Sequence, residues 1–146
     1  MKVSVRKRVF TFIEIMVVVI IIGVLAAIIM PKFFGRTKQA KVNAAETQLS
    51  IFSTALDAYQ LDNDNYPTTD QGLKALVVKP DSPPVPSSWK GPYLASEIPK
   101  DPWGNDYIYK CPGDHNKESY DIASYGPDGK PGGGDDITNW QTNESN

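Results

Sequence analysis

The chain is almost uninterrupted apolar sequence near its start and polar, turn-rich sequence near its end. Val9 to Met30 reads VFTFIEIMVVVIIIGVLAAIIM, 22 residues with a single charge, Glu14. A bilayer core takes about 20 apolar residues as a helix, so the pattern predicts a membrane-spanning helix over 10–31. Beyond Pro31 the period changes. Val42, Ala45, Leu49, Phe52, Leu56 and Tyr59 recur at spacings of three and four, which is one apolar stripe of an amphipathic helix over 32–61. Such a stripe reads as core and not as a cofactor box. Taken as one element, Phe10–Leu61 would extend roughly 78 Å at 1.5 Å per residue. Pro31 removes an internal hydrogen bond and, with Gly35, predicts a kink or loosened turn.

Residues 62–146 read as a small globular part. Asp62, Asn63, Asp64 and Asn65 favour caps and turns, and Pro67 discourages helix at Tyr66, so the long helix should end near Leu61. A short helix is expected over 68–78 around GLKALVV, and PDSPPVPSSWKGP (80–92) is a loop. Tyr107–Lys110 and Tyr120–Ser124 predict short strands, separated by a turn at Pro112–Asn116. Trp103, Tyr107, Tyr109, Tyr120 and Trp140 supply bulk for a thin core against the helix stripe. The expected fold class is therefore α+β, a long N-terminal helix packed on a small antiparallel sheet.

Charge orients this arrangement. Lys2, Arg6, Lys7 and Arg8 precede the apolar run with no acid among them. The positive-inside bias then keeps the leader, residues 1–9, in the cytoplasm and sends the C-terminal part outward. A cleavable secretory signal fits poorly, because the run is longer than a usual apolar region and no small-x-small site follows before Pro31. A plain signal anchor fits the run but leaves Glu14 unexplained. An acid inside a spanning helix costs about 2.5–3.5 kcal/mol on insertion scales and usually has a partner. A cut just before Phe10 would create an ammonium four residues upstream, and positions four apart share a helix face. That ammonium would neutralise Glu14 within one chain or between neighbouring helices.

Several chemistries are excluded or weak. The net charge of −2, from 15 basic and 17 acidic residues, lacks the basic excess of a nucleic-acid binder. Cys111 is the single cysteine, which excludes an intrachain disulfide. Cys111 and His115 offer a nucleophile and a base in one turn, but no orienting third residue or oxyanion motif accompanies them. Asp62 and Asp64 do not open an EF-hand, since Tyr66 and Pro67 occupy later ligand offsets. Lys32, Arg36, Lys38 and Lys41 form a basic cluster that reads as a membrane-surface anchor, an interface or a solvated face. GPDGKPGGGDD (126–136) lacks the Gly-Lys-Ser/Thr end of a phosphate loop. It does concentrate Asp128, Asp135 and Asp136 with little cationic relief besides Lys130. Such carboxylates repel one another unless a cation lies between them; a flexible solvated turn is the alternative. Calcium suits them better than magnesium, because it accepts about 6–8 oxygens at flexible geometry.

The motifs also carry a resemblance. The basic leader followed by FTFIEIMVVVIIIGVLAAIIMPKF resembles the class III signal of type IV pilins and type II secretion pseudopilins. The resemblance implies a prepilin peptidase that cuts on the cytoplasmic side before Phe10 and N-methylates it. Glu14 stands where the family has its assembly glutamate, and Pro31 where it has a helix-interrupting proline. The family places glycine before the cut, whereas this chain has the bulkier Val9. LDNDNYPTTDQGLKAL, then YL and IPKDPWGNDYIY, then SYGPDGKPGGGDDITNW resemble, within that family, the major pseudopilins of type II secretion. Together the motifs cover about residues 6–140.

That resemblance implies a non-enzymatic subunit, polymerised from the inner membrane into a periplasmic filament that drives folded exoproteins through an outer-membrane channel. The implied partners are other copies of the chain, minor pseudopilins, the inner-membrane assembly platform and the prepilin peptidase. It further implies calcium in the C-terminal loop, held by Asp128, Asp135, Asp136 and the carbonyls of Tyr125 and Gly133. Two alternatives stand beside it. A pilus subunit of the motility type usually closes its C-terminal region with a disulfide, which Cys111 alone does not allow within the chain. A non-assembling, membrane-anchored periplasmic binding module would leave Glu14 without a role.

Overall fold

The structure is a computed structural model that describes residues 10–140, apart from the side chains of residues 28–35. The basic leader over 1–9, Val9 included, lies outside the described residues. One long helix, α1 (Phe12–Asn63), is followed by a single 3-10 turn (Leu73–Leu76) and three strands, β1 (Ile108–Lys110), β2 (Asp121–Ser124) and β3 (Ile137–Thr138). The chain forms two compact units, Met1–Gln39 and Ala40–Asn146.

The first unit holds the start of α1. Thr11 caps it: its Oγ1 accepts a hydrogen bond from the Glu14 N–H at 3.3 Å, and its carbonyl accepts from the N–H of Glu14 and Ile15. The helix therefore begins at Phe12, two residues later than expected, and Phe10 precedes it. Large apolar side chains from Phe12 to Leu25 are exposed, Phe12 at 81% and Ile20 at 60%. Pro31 and Gly35 do not end the element, which runs through both. Among the described residues no helix is long and apolar enough to cross a membrane, the side chains of 28–35 falling outside that set.

The second unit is built on the predicted stripe. Ala45, Leu49, Phe52, Leu56 and Tyr59 are buried, Ala55 joins them, and Val42 packs at the margin. They meet Leu73, Leu76, Tyr107, Tyr109, Tyr120, Ile122 and Ile137 in one cluster. The Phe52 and Tyr107 rings meet edge to face at 5.0 Å. The buried Tyr109 hydroxyl donates to the Pro67 carbonyl at 2.8 Å. Trp103 packs at the margin of this core, with Lys41 Nζ 5.9 Å from its ring centroid. Trp140, expected in the core, instead lies against His115, the rings stacked at 4.2 Å.

Helix α1 also ends two residues later than expected, at Asn63. The Asn63 amide donates to the Tyr59 carbonyl at 2.8 Å. Asp64 then turns left-handed at φ 63°, and its N–H returns to the Gln60 carbonyl, a left-handed helix cap. The predicted helix over 68–78 reduces to the 3-10 turn. Gln71 is diverted sideways, its amide donating to the Ser82 and Pro84 carbonyls, and Gly72 breaks the helical path at φ 59°, ψ −169°.

The sheet has order β1-β2-β3 and is antiparallel throughout, with Tyr109 opposite Ile122 and Ser124 opposite Ile137. All four residues of β2 are buried. The third strand was not expected, because two residues are too few to display an alternation. Just past β1, the Thr69 hydroxyl donates to the Cys111 carbonyl and accepts from the Cys111 N–H, both at 3.0 Å.

Candidate functional site

The glycine-rich stretch predicted to hold metal is the connection between β2 and β3. Gly126, Gly129, Gly132, Gly133 and Gly134 all have φ between +65° and +94°, a region side chains rarely adopt. At two of them the missing side chain matters. A Cβ on Gly126 would stand 2.4 Å from the Asp135 carbonyl oxygen, so only glycine lets the Asp135 backbone pass. A Cβ on Gly133 would stand 3.1 Å from Asp135 Oδ1 and 3.8 Å from Asp128 Oδ2. The space beside Gly133 is thus flanked by two carboxylates.

Asp136 is placed differently. Its Oδ2 accepts from the Gly132 N–H at 2.7 Å, while its Oδ1 is buried without a hydrogen-bond partner. With Tyr125, His115 and Trp140 it lines a groove of about 380 Å³ on the sheet. Asp128 Oδ1 accepts from the Lys130 N–H at 2.9 Å. Among the described residues no three or more acidic, histidine or cysteine side chains gather as a metal ion would require. Asp128 and Asp135 are brought together; Asp136 is not brought to the same point. The donor chemistry nevertheless suits a hard cation, with two carboxylates at one glycine and an unsatisfied carboxylate oxygen nearby in sequence.

The Cys111 and His115 pair does not form a nucleophilic site. Burial pushes the Cys111 thiol up from its ordinary value, which disfavours the thiolate. His115 turns to Asp121: Nδ1 lies 2.9 Å from Asp121 Oδ2. Asp121 is buried and also accepts from the N–H groups of His115 and Asn116 and from the Asn116 amide. Burial alone would raise its carboxyl; the donated hydrogen bonds outweigh it and hold the group below the ordinary carboxylate range. The stability it contributes is then present above the unfolded value of about 3.9 and lost as pH falls through the folded one. Asp121→Asn, which turns an amide toward these donors, should cost about 1–3 kcal/mol at pH 7. In urea denaturation of residues 40–146, whose core lies wholly within that unit, the gap from wild type should narrow below about pH 4. A gap that stays constant with pH would show that Asp121 is not the titrating group.

At the N-terminus, Glu14 is exposed in the first turn of α1 and Phe10 is exposed before it. Since Phe10 is outside the helix, the two do not stand one turn apart on a shared face within the chain. Sequence reasoning missed the cap, although Thr11-x-x-Glu14 is the signature of a capping box.

Comparison with known proteins bears on the whole chain. Residues 32–140 match the family described as type II secretion system (T2SS), protein G. The chain is 45% identical over 140 residues to type II secretion system core protein G of Escherichia coli (strain K12), covering 96% of this chain and 95% of that protein. It is 49% identical over 134 residues to the core protein G of Pseudomonas aeruginosa, covering 90% and 93% respectively. The crystal structure of the major pseudopilin from the type 2 secretion system of enterohaemorrhagic Escherichia coli superposes with a TM-score of 0.64 at 42% identity. That match covers 73% of this chain and 92% of the other.

Proposed function

Because the chain belongs to the type II secretion system protein G family, a family of structural, pilus-like subunits and not of enzymes, we propose that it is the repeating subunit of a periplasmic pseudopilus. The protomer waits in the inner membrane on a single span, with its C-terminal unit in the periplasm. It is then drawn into a filament that moves folded exoproteins outward. The observation that carries this reading is the match over residues 32–140, which includes the amphipathic half of α1, the sheet and the glycine loop.

The physical supports lie at the two ends. The run over 10–31 has the length and apolarity for a span, and an acid such as Glu14 placed within a bilayer needs a cationic partner. Minor pseudopilins and an inner-membrane platform complete the assembly. The prepilin peptidase acts before Phe10, where Val9 replaces a smaller residue and should slow the cut; Val9→Gly should speed it, as intact mass after pulse expression reports. Equal rates for both would remove Val9 as a constraint.

At the other end, calcium would be held by Asp128, Asp135 and the carbonyls of Tyr125 and Gly133, with Asp136 joining the set once its carboxylate leaves the Gly132 N–H. When bound, the ion neutralises carboxylates that would otherwise repel one another. The chain's own residues supply the turn: Gly126 admits the Asp135 backbone, and Gly133 leaves the space between the two carboxylates open.

The deciding experiment is export of a type II substrate in a strain deleted for its own protein G. Restoration by this chain, with filaments visible after overexpression, is the expected result. Filaments without restored export would assign the chain to a pilus instead. Membrane insertion with neither would make it a non-assembling anchored module.

A further inference from the structure

The glycine loop is gripped from outside by residues other than the proposed calcium ligands. Asp101 is 5% exposed. Its Oδ1 accepts from the N–H groups of Trp103 and Asn105, at 3.0 and 2.8 Å, and its Oδ2 accepts from the Ser124 hydroxyl at 2.6 Å. That hydroxyl, at 0% exposure, has given its proton to Asp101 and offers its lone pair to the Gly126 N–H at 3.2 Å. The Asn105 amide donates to the Gly126 carbonyl at 3.3 Å. Both polar groups of Gly126 are therefore bound by side chains of residues tied to Asp101, Ser124 through its hydroxyl and Asn105 through its main-chain N–H. A Cβ on Gly129 would stand 3.4 Å from the Asn105 amide, so Asn105 touches both glycines that bracket Asp128.

We propose that Asp101, Asn105 and Ser124 are positioning residues that fix Gly126 and through it set the calcium affinity of the loop. The route is short. Gly126 is where the Asp135 main chain crosses within a Cβ's reach, so locking Gly126 locks the approach of Asp135 toward Asp128. A loop held in its binding shape before the ion arrives spends less ordering entropy on capture. The network is also complete without the ion: Asp101 is satisfied by three donors, and Asp101 N–H and Asn105 C=O close a further bond at 2.8 Å. This inference rests on the calcium reading above.

The test uses the full chain in detergent, titrated with calcium chloride by calorimetry, together with amide hydrogen exchange of residues 126–136 in chelator. Asn105→Ala should weaken calcium binding about tenfold, as partners that orient ligands typically do. It should also speed loop exchange while leaving the melting temperature in chelator unchanged. Ser124→Ala should act in the same direction and serves as the independent variant. Wild-type calcium affinity in Asn105→Ala, or an affinity loss matched by an equal loss of stability in chelator, overturns the proposal. If the wild-type chain itself takes up no calcium, the calcium reading fails on its own, and unchanged loop exchange in Asn105→Ala then overturns the grip as well.

Discussion

Glu14→Ala is expected to insert into the membrane as well as the wild-type chain and to yield almost no filament. Insertion should improve slightly, because an acid has left the apolar run. Assembly should suffer because the ammonium freed before Phe10 loses its counter-charge in lipid. Leaving one charge unpaired there costs about 2.5–3.5 kcal/mol, roughly a hundredfold in each contact's equilibrium. Phe10 precedes α1 instead of joining its first turn, so the pairing is expected between neighbouring copies and not within one chain. Glu14 also stands at the third helical position after the Thr11 cap, where a glutamine serves a capping box as well as a glutamate. Glu14→Gln keeps that cap and removes only the charge. Collapse of filament yield in both variants, counted by electron microscopy against membrane-fraction protein, is the expected outcome. Collapse in Glu14→Ala alone would assign the residue to helix capping, and normal yield in both would end the pairing idea.

Chelation is expected to lower the melting temperature of residues 40–146 by roughly 10–20 °C relative to saturating calcium. An ion present at a hundred times its dissociation constant adds about 2.7 kcal/mol to a folded state that alone binds it. For a domain of about 100 residues each kcal/mol moves the midpoint by roughly 4–8 °C. Asp128→Asn and Asp135→Asn should each remove most of that response, because these two carboxylates flank the space at Gly133. In chelator both variants should match or exceed the wild-type midpoint, since one member of a repelling pair has been neutralised. Superimposable melting curves in calcium and chelator would return the loop to a solvated turn.

The two predictions draw on opposite kinds of legibility. The stripe from Val42 to Tyr59 was readable because a helix period of 3.6 leaves an unmistakable spacing over five turns, and the core forms on those residues. Tyr107, just before β1, and Tyr109 within it are both in the core, as their bulk leads one to expect. The two residues of β3 could not show a period at all. Trp140 was misjudged because bulk alone says core, whereas the His115 ring offers it a flat partner outside. The carboxylates of the loop were visible as composition, but which of them meet depends on five left-handed glycines, and no spacing rule encodes that. Asp101 was harder still. Its importance lies in a hydroxyl 23 residues away, a contact that only the folded chain creates.

The hydroxyl of Thr69 has one more consequence. By giving and accepting a hydrogen bond at Cys111, it stands in for a neighbouring strand just beyond β1. In the order β1-β2-β3 both outer strands are edges, and they offer only three and two residues. Unpaired edges invite lateral sheet pairing, which leads to aggregation when many copies are crowded together. A filament is such a crowd by design. Short edges, one of them occupied at its end by a side chain, leave little backbone for sheet-to-sheet contact.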